Sequence, residues 1–442
     1  MAGKDDNLME KIVSLCKRRG FIYPSSEIYG GFSGFWDYGP YGVELRHNIK
    51  QYFWDKFVGE KEEIYPVSTS IVMNPRVWDA SGHVAGFADP LVECVKCHHR
   101  FRPDQLEDAA KCPDCGGSFG DVKQFNMMFK TYVGAASDES AVSYLRPETA
   151  QGMFANFKNI IDSFHPKLPF GIAQIGKAFR NEIAPRDFLF RSREFEQMEI
   201  EYFVDPRDEK KIDQIFDGFY EEQQQFLKDI GLSESKIHKV DVPAEDRAHY
   251  SKRSVDTEYD FPFGQKELLG LAYRTDYDLK AHIDKSGADL SYFDEETKER
   301  FVPHCIEPTM GVDRLVMAVL SDAYTEDELG GEPRAYMKFS PKVAPVRVAV
   351  FPLLKNKPEL VSKAREVYKM LKQEIPNIEF DDNGNIGKRY RRQDEIGTPH
   401  CITVDFDTLG ESPELLDTVT LRDRDTGEQK RVQIAELVSL LK

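Results

Sequence analysis

The sequence predicts an α+β chain built in two parts. A larger mixed region carries long antiparallel hairpins, and a C-terminal α/β domain of about 100 residues follows it. Three observations lead there. The 442 residues exceed the ~150 of a typical domain, so two or three domains are expected. Residues 170–182 and 194–204 read as two strands joined by a long polar loop. Beyond Pro333, Pro341 and Pro345, short buried strands begin to alternate with helices.

Taken in order, the first helix spans 6–19, with Leu8, Ile12 and Leu15 on one stripe and Gly20 as its stop. Residues 41–57 give a second helical pattern through Val43, Leu45, Ile49, Phe53 and Phe57. Residues 90–122 hold paired cysteines and read as an insertion. A charged amphipathic helix covers 207–230, within a stretch of about 205–300 that is polar, mixed and expected to be a second insertion. Residues 311–320 form a short buried helix, because Val312, Leu315, Val316, Val319 and Leu320 share a face. In the second part, strands are expected at 346–351, 378–380, 402–406 and 418–421. Helices are expected at 357–374, 387–396 and 433–442. The expected domains are 1–340 and 341–442. No internal repeat suggests a solenoid or propeller.

Composition removes several classes. No run of about 20 apolar residues exists, so no transmembrane helix and no membrane partner are expected. The polar start lacks the apolar core of a signal peptide, and its acids argue against a transit peptide, which makes a cytoplasmic location the expectation. The net charge of −17 argues against non-specific coating of nucleic acid. Residues 345–442 hold 16 Lys+Arg against 17 Asp+Glu, net −1, so the other −16 lies in the first 344 residues. The tail is the part least repelled by a polyanion.

Four of the seven cysteines form two Cys-x-x-Cys pairs, Cys94/Cys97 and Cys112/Cys115. Paired spacing without a secretory signal reads as metal binding rather than disulfides. Four thiolates at this spacing suit tetrahedral Zn²⁺ in a structural role. His98 and His99 adjoin the first pair and are expected to be solvated.

The chemistry gathers in a few stretches. Side chains alternate along a strand, so Gln174, Arg180 and Glu182 share one face. On the next strand Phe195, Gln197, Glu199 and Glu201 lie opposite Met198 and Ile200. Such a hairpin suits a charged, planar ligand. Its loop carries Arg186, Arg191 and Arg193, whose planar forks match phosphates. Gly311 and Arg314 stand at a helix N-terminus, which favours anions. In the tail, Lys388-Arg-Tyr-Arg-Arg392 interleaves cations with an aromatic ring, as a single-stranded RNA loop requires.

Together these stretches resemble motifs 2 and 3 of class II aminoacyl-tRNA synthetases. The match extends to Asp37-Tyr-Gly-Pro-Tyr-Gly-Val-Glu-Leu45, Val77-Trp-Asp-Ala-Ser-Gly-His83, Tyr144-Leu-Arg-Pro-Glu-Thr-Ala-Gln-Gly152, Phe188 to Glu199, Ile386 to Gly397 and Val419 to Asp425. In that order, across nearly the whole chain, they resemble the bacterial form of the homodimeric glycyl-tRNA synthetases. The resemblance implies an antiparallel-sheet catalytic domain and a C-terminal anticodon-binding domain. It also implies ATP-dependent attachment of glycine to tRNA(Gly) through a glycyl-adenylate, with ATP and Mg²⁺ bound, and a homodimer with motif 1 at its interface.

Residue by residue, the resemblance implies that Arg180 holds the α-phosphate, Glu182 the adenine amino group, Phe195 the adenine ring and Arg314 the γ-phosphate. Arg180, Glu182 and Arg314 are thus the expected catalytic set. Asn181, Phe190, Arg191, Ser192, Arg193, Glu194, Glu267, Leu268, Gly311, Val312 and Asp313 complete the expected ATP site. The expected glycine pocket comprises Arg102, Glu148, Phe195, Glu196, Gln197, Met198, Glu199, Glu307, Pro308, Thr309, Met310 and Gly311. Lys388, Arg389, Arg391 and Arg392 are the expected tRNA contacts. One departure stands out: the family reads Glu-Pro-Ser where this chain has Glu307-Pro308-Thr309, so an extra methyl either tightens exclusion of alanine or shifts the backbone. Alternatives are a class II synthetase for another small amino acid, or a non-catalytic nucleic-acid-binding relative. The retained Arg180, Glu182, Phe195 and Arg314 argue against the latter.

Overall fold

Seven strands form the central sheet, in the order β4-β5-β6-β7-β3-β2-β1. They are β1 (Ile64–Pro66), β2 (Phe170–Phe179), β3 (Glu194–Val204), β4 (Ile237–Asp241), β5 (Arg253–Phe261), β6 (Gly264–Thr275) and β7 (His304–Gly311). All neighbours run antiparallel except β1 and β2, which are parallel. This computed structural model describes residues 5–106, 108, 110–135 and 138–441. Residues 1–4 of the expected first domain, 107 and 109 of the cysteine insertion, and Lys442 of the expected last helix lie outside that range.

Period-2 alternation decides which face each side chain takes. Met198, Ile200, Ala173, Leu269, Leu271 and Met310 all belong to one core cluster. Against that face lie α1 (Asp5–Arg19), α2 (Pro40–Trp54), α4 (Glu209–Asp229) and α6 (Val312–Ala323). Pro40 opens α2, where its missing N–H costs nothing. Leu45, Ile49 and Phe53 repeat every four residues and are fully buried, whereas Val43 is exposed. The other face is covered only at one end. There α3 (Ala150–Phe164) and α5 (Tyr277–Ser286) set Met153, Phe154, Phe157 and Leu279 against Phe170, Ile172 and Phe203. The uncovered end is the floor of a cleft of about 480 Å³.

The stretch 205–300 is not an insertion. It supplies α4, β4, β5, β6 and α5, including three of the seven strands of the main sheet. Its cleft-lining residues Asp256, Glu267 and Arg274 are charged, and they mask the alternation of Val255, Thr257 and Tyr259 that sits against the core. Three short strands at 88–93, 100–101 and 123–126 support the cysteine pairs.

A hairpin of β8 (Tyr324–Leu329) and β9 (Glu332–Met337) follows α6. The first core then continues through Val343, Ala344 and Val346, and the second begins at Val348, a few residues beyond the expected break at 340/341. The second sheet has the order β11-β10-β12-β13-β14. Its strands are β10 (Val348–Pro352), β11 (Ile378–Phe380), β12 (His400–Val404), β13 (Thr418–Asp423) and β14 (Gln429–Gln433). Helices α7 (Pro358–Lys372) and α9 (Leu437–Leu441) pack on one face, and α8 (Ile386–Ile396) on the other. The expected helix at 433–442 is shorter, because Gln433 still pairs with β13 and Ile434–Glu436 form a 3-10 turn before α9. Arg334 on β9 reaches Asp394 on α8 at 3.2 Å, and Tyr41 donates to Glu379 at 2.7 Å, so the two parts meet through buried polar contacts.

Candidate active site

Register brings the pocket together. Gln174, Glu199, Thr309 and Gly270 are successive cross-strand partners on β2, β3, β7 and β6. One pleat further on, Glu201 and Glu307 share the same face. Glu199, Glu201 and Glu307 are all buried, and their carboxylate oxygens lie within 4.8 Å of one another. Glu199 accepts from Thr309 Oγ1 at 3.0 Å and from Thr149 Oγ1. Cys305 Sγ donates to Glu201 at 3.0 Å, while Oε1 of Glu201 has no partner among the described residues.

Glu148 forms a second wall beside the start of α3. His83 Nε2 lies 3.3 Å from it, and Gln151 Nε2 donates to it at 3.0 Å. Burial works against the charge of Glu148. The neighbouring His83 and Arg274 and the Gln151 amide outweigh that, and hold its carboxyl well below the usual range. Glu307 behaves in the opposite way. Burial pushes it up to about 8, against the attraction of Arg274 and with help from Glu199 and Glu148. Glu199 is raised by burial and by Glu148, and Glu201 is raised well above the usual range by burial and by Glu307.

Arg274 on β6 is the buried cation of this group. It binds Asp278 through two bonds of 2.8 Å each and Glu307 through a third of 2.8 Å. Its guanidinium is 3.9 Å from the centroid of Tyr250. Asp278 in turn accepts from Gln151 at 2.9 Å. One chain of side chains thus joins the two walls: Glu307, Arg274, Asp278, Gln151, Glu148. The sequence reading missed Arg274, Asp278 and Tyr250, since it took 205–300 as an insertion. Gln151 and His83 stood inside quoted motifs without an assigned role.

The other end of the cleft is cationic and aromatic. Arg180 and Glu182 lie past the end of β2, not on it as expected. Arg180 N bonds Arg193 O at 2.9 Å, which carries the hairpin one step beyond the strand. The Arg180 guanidinium lies between Phe87 and Phe195, at 5.5 and 5.3 Å from their centroids, and donates to Pro147 O at 3.1 Å. Oε2 of Glu182 is buried without a partner among the described residues. Arg314 lies 4.4 Å over Phe190 and 3.1 Å from the Glu267 carboxylate. Asp256 stands nearby and is raised to about 6 by burial, Glu267 and Glu258. Arg102 comes from the cysteine insertion and is held by Asp89 and Asp104.

Several expected contacts lie elsewhere. Met198 and Met310 are in the core on the far face of the sheet, because alternation turns them away, and Val312 opens α6 in the same core. Asn181, Arg193, Glu194 and Pro308 do not line the cleft. Arg193 instead donates to Glu182 O at 3.0 and 2.9 Å and to Ser33 O at 2.9 Å, bracing the loop. Glu196 and Asp313 do line the cleft, but Glu196 pairs with Lys50 at 3.0 Å and Asp313 accepts from Tyr38 at 2.6 Å. In the tail, Arg389 is 1% exposed and donates to the carbonyls of Pro352, Asp382 and Gly384, so it cannot face RNA. Arg391 pairs with Glu332 at 3.1 Å and Arg392 with Asp381 at 2.5 Å; Lys388 remains exposed.

The four paired cysteines converge. Cys94 Sγ is 3.5 Å from Cys115 Sγ, and Cys97 Sγ is 3.6 Å from Cys112 Sγ. Close sulfurs around one centre fit a tetrahedral Zn²⁺.

An antiparallel sheet with a phosphate-suited hairpin, followed by a small mixed domain, has counterparts among known families. Residues 129–323 match the tRNA synthetase class II core domain (G, H, P, S and T), and residues 347–442 match the anticodon binding domain. The chain is a class II tRNA synthetase. It is 48% identical over 468 residues to a glycine--tRNA ligase of Clostridium kluyveri, covering 99% of this chain and 98% of that one. The same name attaches to a Thermobifida fusca relative, 48% identical with 100% and 98% covered, and to one from Streptomyces coelicolor, 48% identical with 98% and 97% covered. This chain belongs to the glycine--tRNA ligase family.

Proposed function

We propose that this protein joins glycine to tRNA(Gly) at the expense of ATP, in two steps in one cleft. The observation that carries this reading is the pit itself: the carboxylates of Glu148, Glu199 and Glu307 line it, with the buried Arg274 guanidinium bonded to Glu307 behind them. Glu148, Glu199 and Glu307 suit an ammonium group. A glycine bound there has its carboxylate directed toward the Arg180 end, where the orphaned acceptor of Glu182 and the ring of Phe195 suit an adenine.

In the first step a carboxylate oxygen of glycine attacks the α-phosphorus of ATP. A phosphorus–oxygen bond forms, the bond to the β-phosphate bridge breaks, and pyrophosphate leaves. Arg180 meets the charge developing on the α-phosphate and Arg314 that on the outgoing phosphates, so positioning and fixed charge do most of the work. Glu267, with Asp256, would hold Mg²⁺, which neutralises phosphate charge when bound. In the second step a terminal ribose hydroxyl of tRNA attacks the carbonyl carbon of the mixed anhydride, and AMP leaves.

The cysteine cluster would hold structural Zn²⁺, and the C-terminal domain would bind the anticodon. Ile28 and Tyr29, 88% and 86% exposed, stand with Phe32 on the surface. A second copy of the chain would cover such apolar side chains, which agrees with a homodimer. We place the reaction in the cytoplasm. Formation of acid-precipitable glycyl-tRNA from ATP, labelled glycine and tRNA tests the proposal. Charging with glycine and not with alanine or serine is expected; charging with another amino acid would overturn the specificity.

A further inference from the structure

A second cavity, of about 540 Å³, lies between the C-terminal end of α1 and the β11 edge of the second sheet. It is lined by Arg18 and Tyr41 from the first part, and by Arg365, Tyr368, Phe380 and Gln393 from the second. It shares no lining residue with the cleft.

Three features set its chemistry. The Arg365 guanidinium carbon lies over the Phe380 ring, 3.4 Å from its centroid, with no carboxylate in ion-pair contact among the described residues. Tyr368 meets the same ring edge-on, with centroids 5.9 Å apart. A guanidinium plane already stacked on an aromatic offers its outer face to a second flat ring, with a full positive charge beside it. Next, Arg18 shares the Glu395 carboxylate with Arg19 and sits 3.5 Å from it, so two cations divide one anion. Finally, the floor carries groups that read the edges of a base. Glu379 accepts from Tyr41 at 2.7 Å and from Gln393 at 2.9 Å, which fixes its oxygens while leaving lone pairs for an amino group. Surplus cations are notable in a chain of net charge −17.

We propose that this inter-domain cavity binds one nucleotide, its base stacked on Arg365 and its phosphate between Arg365 and Arg18. This inference rests on the tRNA-charging reading above and deepens it. A nucleotide held here touches both domains at once. The shared chemistry is an aromatic base with a phosphate, and it has two sources: an unpaired nucleotide of the bound tRNA, or a free mononucleotide. The favoured source is the tRNA, since the second domain matches an anticodon binding domain.

The test compares wild-type protein with Arg365→Ala and Arg365→Lys. Arg365 starts on the exposed face of α7, so both variants are expected to fold, and unfolding temperature is measured to check it. Glycine-dependent pyrophosphate exchange reports the cleft. Charging kinetics report tRNA, and displacement of a fluorescent mononucleotide by AMP and CMP reports free nucleotide. Loss of one stacked contact is expected to raise the KM for tRNA by roughly tenfold in Arg365→Ala, with Arg365→Lys nearly as impaired because charge without a plane does not stack. Exchange is expected to stay within about twofold. Lost mononucleotide binding with unchanged tRNA kinetics would keep the site and assign the free source. No change in either overturns the proposal. Absence of exchange in the wild type would instead sink the synthetase reading on which it rests.

Discussion

Arg274 and Glu307 form a buried pair 2.8 Å apart, and the same guanidinium grips Asp278 through two further bonds. Removing Arg274 leaves the buried Asp278 carboxylate without its cation, at a cost of about 3–5 kcal/mol. Arg274→Met is therefore expected to lower the unfolding free energy by about that amount and to raise the KM for glycine. Arg274→Lys keeps the charge but not the fork. It should recover much of the stability and little of the glycine affinity, as read by denaturant unfolding and by exchange kinetics. Equal recovery of both would reduce Arg274 to a structural ion pair.

The pit should also respond to pH. Burial pushes the Glu307 carboxyl up to about 8, above its ordinary 4.5. Between those values the folded state holds a proton that the unfolded state has lost. Its contribution to stability is thus full below about pH 4.5 and fades as pH rises through about 8. An ammonium ligand favours the ionised form, so glycine binding releases a proton in that window. The KM for glycine is expected to fall from pH 6 to pH 8, and calorimetry in buffers of different ionisation enthalpy should show the released proton. Glu307→Gln should weaken both, with the raised Glu199 left to carry the remainder. Glu148, held well below the usual range, stays ionised throughout.

The cysteine cluster carries Arg102 into the cleft, because the strand at 100–101 runs directly from it. Chelation, or Cys112→Ser, is expected to release one Zn²⁺ per chain and to raise the substrate KM values by about tenfold while leaving most of kcat. Metal analysis with exchange kinetics checks this. Full activity in metal-free protein would separate the insertion from the site.

Gly176 tests the packing beneath the pit. A Cβ there would stand 2.2 Å from Nη2 of Arg146, whose guanidinium is buried and bonded to Lys177 O at 2.6 Å and Thr69 O at 2.9 Å. Gly176→Ala is expected to destabilise by about 1–3 kcal/mol, measured by urea unfolding. A smaller effect would mean that Arg146 can swing aside.

Much of this was legible in the sequence. The α2 and α6 stripes, the β2–β3 hairpin and the alternation of the second domain follow from periodicity. The convergence of the cysteine pairs follows from spacing, and Glu148, Arg180, Glu199 and Arg314, named through the family resemblance, line one cleft. What escaped follows a pattern. β5 and β6 line the cleft with charged side chains, so their alternation looked like surface, and Arg274 and Tyr250 were lost with them. Met198 and Met310 stand beside cleft residues in the motifs, but the alternation that turns Glu199 and Thr309 to the cleft turns them to the core. Arg389 looked like an RNA contact because a basic run does not reveal which of its members turns inward to bind carbonyls.

Glycine-dependent exchange of labelled pyrophosphate into ATP, with alanine, serine and proline as controls, tests the central claim most directly. The carboxylate pit predicts exchange with glycine and little with the others. Exchange with another amino acid would contradict the assignment of the pit, and no exchange with any of them, from folded and zinc-replete protein, would contradict catalysis itself.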